Sequence, residues 1–296
     1  MTVAHVAQSA AFVQARGGYR FRIESRPARA EPVGTVVFVH GFAEELNKSR
    51  RMVALAARRL AADGWRVVQR DLQGCGDSAG DFADATREAW IEDVQEEVLG
   101  ADHDRPVWLW CLRAGALLAA PVLGTRSDLC LLLWQPVLSG DQHLRQYLRL
   151  QAGARIVGSS KADAASPLER LCDGAEVEVG GYRIHPSLAA GMRSASFDVP
   201  LTFRGRVAWM ELSSQVEDGL PPSSAGVVEG LRARGVDARA VVLAGPPFWQ
   251  TQELAVCPEL VDRTAAAIVD GVGSEHGTTR ESRSAHQASL AKEHAG

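Results

Sequence analysis

Four short stretches combine residues capable of chemistry with the glycines and prolines of tight turns. They are His40-Gly41-Phe42, the run Asp71 to Ser78 with Gly74 and Gly76, Cys111-Leu112-Arg113-Ala114-Gly115, and Ala244-Gly245-Pro246-Pro247-Phe248-Trp249-Gln250. Each follows an apolar run of strand length. After the first, the Phe42 N–H can face an oxyanion. In the third, small residues at Cys111 and Gly115 permit a sharp strand-to-helix turn that presents the residue between them, as a nucleophile elbow does. That residue is Arg113. A guanidinium stays protonated and has no lone pair with which to attack a carbonyl. It can hold a carboxylate or phosphate through two parallel N–H bonds. Lys48, Arg50 and Arg51 are expected to bring further positive charge to the same rim, making an anion-binding site with Arg113. The alternative is internal: Glu44 or Glu45 folds in and closes Arg113 off as a salt bridge.

A base is harder to find. No histidine lies between His185 and His276, and the fourth stretch carries Pro-Pro-Phe-Trp. His276, His286 and His294 fall in a polar tail, a poor scaffold for a general base. Glu211, Glu217 and Asp218 stand where a triad acid would be sought and read as surface charges. Two nucleophile candidates remain, Cys111 and, behind it, Ser78. A cysteine ending a buried strand usually behaves as a small hydrophobe, although a nearby Arg113 would favour its thiolate. The glycines of the Asp71–Ser78 loop supply tight turns and read as architecture.

Regular elements must hold these turns in place. Segments 11–15 and 19–24 alternate around Gly17-Gly18 as a hairpin does. Strands are expected at 35–39, 65–70, 107–111 and 129–134. Helices are expected at 49–62, capped by Ser49, at 90–99 and at 114–120. Alternation of strand and helix predicts an α/β fold, a mostly parallel sheet with helices on both faces. Residues 139–200 break the rhythm with polar helices, a Ser-Ser-Lys loop and a hairpin at 176–184, and read as a cap insertion. The pattern resumes with strands at 206–212 and 238–243 and helices at 223–234 and 260–269. The division is therefore 1–138 for the first part of the core, 139–200 for the cap, 201–271 for the second part and 272–296 for a disordered tail.

The chain has 296 residues, 46% of them hydrophobic, and a net charge of −4. That suits a large domain with a full core and gives no global attraction to nucleic acid. The first residues lack a basic start before a long apolar run, and the longest apolar runs are strand-sized. The chain reads as cytoplasmic and not membrane-spanning. Five cysteines without a CxxC pair read as free thiols. Neither a metal nor a cofactor is called for.

The HG turn and the DxxGxGxS loop resemble those of α/β-hydrolases. More specifically, HGFAEELNKSRRMVALAARRLAADGW, RDLQGCGDSAGDF, WLWCLRAGALLAA and GPPFWQ resemble the hydrolase-like proteins associated with exosortase A systems, of the hydrolase 2 type. The resemblance implies an α/β-hydrolase fold in bacteria that make exopolysaccharide and sort PEP-CTERM proteins. It also implies that arginine at position 113 is the family's own residue, with glycine expected where Cys111 stands. Three readings follow. One is a pseudoenzyme that binds a small anionic or carbohydrate-linked ligand. Another is an active ester or thioester hydrolase with a non-standard nucleophile. The third is a protein-interaction scaffold.

Overall fold

The computed structural model describes residues 5–126, 128–153 and 165–273. A ten-residue hairpin arm opens the chain, β1 (Val6–Ala15) and β2 (Gly18–Pro27), longer at both ends than the alternation suggested. Then follow β3 (Thr35–Val39), α1 (Glu44–Ala62), β4 (Arg66–Arg70), α2 (Arg87–Leu99), β5 (Val107–Leu112), α3 (Ala119–Leu123) and β6 (Leu129–Trp134). Between β6 and β9 lie α4 (Gly140–Gly153), α5 (Pro167–Cys172), the short hairpin β7 (Val177–Val179) and β8 (Tyr182–Ile184), and α6 (Pro186–Ser194). The chain returns through β9 (Val207–Ser213), α7 (Pro222–Ala233), β10 (Ala238–Ala244) and α8 (Pro258–Gly273).

Among the described residues, eight strands form one sheet in the order β1-β2-β4-β3-β5-β6-β9-β10. The pairs β1–β2 and β2–β4 are antiparallel, and β4 through β10 run parallel. Strands β3, β5 and β6 are buried along their whole length, which is why they read as unbroken apolar runs. One core packs Met52, Leu60, Leu260 and Ile268 of α1 and α8 on one face of the sheet. The other face carries Trp90, Val98, Val122 and Leu231 of α2, α3 and α7. From β3 the chain steps to β4 on one side and to β5 on the other. That reversal opens a crevice at the carboxyl ends of β3 and β5, the usual ligand position in open α/β sheets.

Three local expectations change. Helix α1 begins at Glu44, five residues before Ser49. Ser49 is buried inside the helix and donates its hydroxyl to the Leu46 carbonyl, so it is no cap. Helix α2 starts at Arg87 because the Thr86 hydroxyl accepts the Ala89 N–H. The segment after β5 is a 3-10 stretch over Arg113–Leu118 followed by the short α3, so the turn at Arg113 does not lead directly into a long helix. The Ser-Ser-Lys loop and the polar tail lie outside the described residues.

Candidate functional site

The crevice is shaped by close backbone approach. Val39 of β3 lies beside Cys111 of β5, so the turns that follow meet directly. At Gly115 a Cβ would come within 2.7 Å of the Val39 carbonyl oxygen and 2.8 Å of that of His40, so only glycine lets the elbow pack this tightly. Arg113 occupies the apex with φ +52°. Ala43, after β3, has φ +51°, and Gln135, after β6, has φ +46°. Non-glycine residues held there cost on the order of 1–3 kcal/mol each and persist where the surroundings impose them. All three stand at carboxyl ends of neighbouring strands.

The Arg113 side chain is clamped. Its Nε donates to Glu45 Oε1 at 3.0 Å, and the guanidinium lies over the Trp249 ring, 5.2 Å from its centroid. The other Glu45 oxygen, Oε2, accepts the Phe42 N–H at 3.1 Å. Gly41 makes room for this, since a Cβ there would stand 2.7 Å from Oε2. A single carboxylate from the first turn of α1 thus satisfies both the guanidinium and the amide that the sequence offered to an oxyanion. Of the two internal partners considered, Glu45 takes Arg113, while Glu44 pairs with Lys48 at 3.4 Å.

Above this clamp lies a cavity of about 430 Å³, walled by Phe42, Tyr147 and Trp249, with Gln146, Gln250 and Lys48 at its polar side. His143, on α4, also lines it. Its imidazole is 8% exposed and stacks edge-on against Phe42, and Nε2 is buried with no hydrogen-bond partner. Burial holds its pKa below the ordinary histidine value; Glu45 pulls the other way and Arg113 adds to the lowering. It is an imidazole in a half-apolar pocket, and no sequence motif marks it. The signal was faint: a lone histidine inside a helical run, with nothing nearby in sequence to single it out.

The strand order, the crossover at β3 and the sharp turn after β5 can be set beside known structures. Est1E from Butyrivibrio proteoclasticus, solved with ferulic acid bound, superposes with a TM-score of 0.61 at 14% identity, covering 89% of this chain and 100% of that one. This chain carries the α/β-hydrolase fold. An esterase of the archaeon Pyrobaculum calidifontis gives a TM-score of 0.55 at 18% identity, over 88% and 85% of the two chains. A laboratory-evolved potato epoxide hydrolase gives 0.56 at 16%, over 90% and 99%. The family model described as "Serine aminopeptidase, S33" matches residues 30–173. No curated protein sequence matches the chain.

Arg113 forms the sharp turn directly after β5, between Leu112 and Ala114, and Phe248 and Trp249 lie in the loop after β10. His40 braces its own turn: Nδ1 is 2.7 Å from the Gly41 carbonyl oxygen, and Nε2 accepts the Leu72 N–H. The two nucleophile candidates stand away from the cavity. Cys111 is fully buried within the core, and burial pushes its thiol well above the ordinary value, with no lowering from Arg113. Ser78 is buried too, donating to the Asp71 carbonyl and accepting the Phe21 N–H. Of the expected basic rim only Lys48 reaches the cavity. Arg50 turns to Asp71 at 3.0 Å, and Arg51 is exposed elsewhere on α1. Glu211 is no surface charge: it is buried and accepts the Trp209 indole N–H at 2.8 Å, while Glu217 and Asp218 are exposed as expected. No helix among the described residues is long and apolar enough to cross a membrane.

Proposed function

We propose that this chain binds a carbohydrate-linked ligand in the cavity over Arg113, without serine-nucleophile hydrolysis. The setting we propose is the exosortase A and exopolysaccharide systems that its sequence motifs resemble. The observation that carries the reading is the Glu45 carboxylate bridging Arg113 and the Phe42 N–H. The elbow presents a cation, and the amide that would stabilise an oxyanion is already engaged by an internal anion. With Lys48 paired to Glu44 as well, the charges lining the cavity cancel. Such a cavity favours a neutral polyhydroxyl group over a free anion. Aromatic walls and side-chain amides suit the apolar faces and hydroxyls of a sugar, and His143 adds a polar ring to the same wall.

The test has two arms. A fluorophosphonate probe should label no serine, and neither the wild type nor Arg113→Ser should hydrolyse p-nitrophenyl esters above a heat-killed control. Calorimetry against oligosaccharides from the native exopolysaccharide should show binding that His143→Phe weakens at least tenfold. Stoichiometric serine labelling would end the non-hydrolytic reading, and a wild type that binds no saccharide would end the ligand assignment. The second reading, ester or thioester hydrolysis, draws on esterase neighbours such as Est1E. It needs a nucleophile on the cavity wall, and neither Cys111 nor Ser78 lines that wall.

A further inference from the structure

The two outer edges of the sheet are built differently. Strand β10 is seven residues long, partly buried, and carries Arg239, which pairs with Asp237 at 3.2 Å. Charges of this kind are how natural sheets keep an edge from pairing with another chain. Strand β1 has no such protection. Its ten residues, VAQSAAFVQA, include no charge and no proline. Its register with β2 runs without a bulge from Val6 opposite Pro27 to Ala15 opposite Gly18. Its middle is exposed, and Phe12 is 62% exposed, resting on Tyr19 and Phe21 with ring centroids 5.1 and 5.4 Å away. Half of the strand's N–H and C=O groups face away from β2, as on any sheet edge.

The segment also matches itself. Laid antiparallel on a second copy with Ala11 opposite Ala11, it sets Gln8 opposite Gln14 and Phe12 opposite Ala10. Gln8, which also bonds Ser25 and Arg58 of its own chain, and Gln14 meet as like polar groups on one face, and each phenyl ring meets a methyl group and not another ring. On the other face Ala7 meets Ala15, and no pairing opposes like charges. A two-fold interface requires a patch complementary to itself, which this register provides. We infer that β1 is a homodimer interface: two copies join edge to edge in antiparallel register about Ala11, extending the sheet across the dyad with both α1 helices on one side.

Light scattering after gel filtration of the full chain in the micromolar range should give the dimer mass. Ala11→Lys places two ammonium groups face to face on the axis and should give a folded monomer with the native circular dichroism spectrum. A second measurement fixes the register and does not depend on that variant folding. Cys172 is the exposed native thiol among the described cysteines, so the background is Cys172→Ser. Directly opposed strand residues lie within disulfide reach. Ala11→Cys should therefore cross-link to its own copy on mild oxidation, whereas Ala7→Cys, opposite Ala15, should not. A monomeric wild type, a dimer that survives Ala11→Lys, or cross-linking at position 7 in place of 11 would each overturn the proposal.

Discussion

Two carboxylates in this molecule make nearly the same bonds in different surroundings. Asp71 Oδ2 accepts Arg50 and the Asp77 N–H, both at 3.0 Å. Glu45 accepts Arg113 and the Phe42 N–H at 3.0 and 3.1 Å. Beside Asp71 the open space is about 20 Å³; beside Glu45 it is about 430 Å³. The backbones differ as well. The Asp71 loop reaches positive φ through Gly74 and Gly76, where no side chain is at stake. Around Glu45 the same region is held by Ala43, Arg113 and Gln135. A chain that needs only the turn uses glycine. One that keeps arginine in a strained apex has use for its guanidinium. The Asp71 carboxylate is closed in by its loop, and the Glu45 clamp lines a cavity.

Removing each carboxylate tests that division. Asp71→Ala should cost about 3 kcal/mol, because it strands a loop N–H and empties a closed site. Neither acetate nor phosphate should restore it, since no space admits an anion. Glu45→Ala should cost less, about 2 kcal/mol, and millimolar acetate or phosphate should recover roughly half of that by filling the vacated place between Arg113 and Phe42. Denaturant melts with and without the anions read both. Rescue of Asp71→Ala, or no rescue of Glu45→Ala, would erase the distinction.

How far the sequence reveals this follows from the range of each interaction. Thr35–Val39 and Leu129–Trp134 were legible to the residue, because burial on both faces leaves a continuous apolar run bounded by polar residues. The sharp turn at Arg113 was legible because its small neighbours mark it. The choice of Glu45 over Glu44, and the turning of Arg50 toward Asp71, was not. Both depend on where α1 begins, and it starts at Glu44 after Ala43, which offers no side-chain cap to announce it. His143 escaped for a similar reason: its role exists only once α4 lies over Phe42, a contact across about 100 residues of chain.

His143 gives the next test. Its unpartnered, desolvated imidazole weakens the fold, so His143→Phe should raise stability by about 1 kcal/mol at pH 7 while weakening ligand binding. Its folded pKa lies below the ordinary 6.5. Below about pH 6.5 the unfolded chain therefore takes up the proton first, and stability falls as pH drops toward the folded value. The groups facing it, Glu45 and Arg113, act in opposite senses, so burial sets the direction. His40 is lowered for the same cause and shares the acid loss. Between pH 7.5 and 5.5, His143→Phe should lose less melting temperature than the wild type. An equal loss would show that His143 is already hydrogen-bonded, through solvent or a resident ligand.

The smallest effect is expected at Cys111, and its smallness is informative. Attack by cysteine requires the thiolate. Cys111 is fully buried, and burial alone pushes its pKa up. The cation two residues along is engaged by Glu45 and Trp249, so it does not stabilise a thiolate at Cys111. Cys75, Cys130 and Cys257 are also buried, whereas Cys172 is exposed with Arg193 Nη1 3.0 Å from its sulfur. Iodoacetamide should therefore modify Cys172 alone in the native protein and all five cysteines after denaturation. Cys111→Ala should leave saccharide affinity unchanged within twofold. Native-state labelling of Cys111 at a rate comparable to Cys172 would mean that the wall between the elbow and the core opens. The cavity over Arg113 would then hold a reachable nucleophile, and the contrast between a sealed loop and a binding wall would give way to one between a sealed loop and a catalytic one.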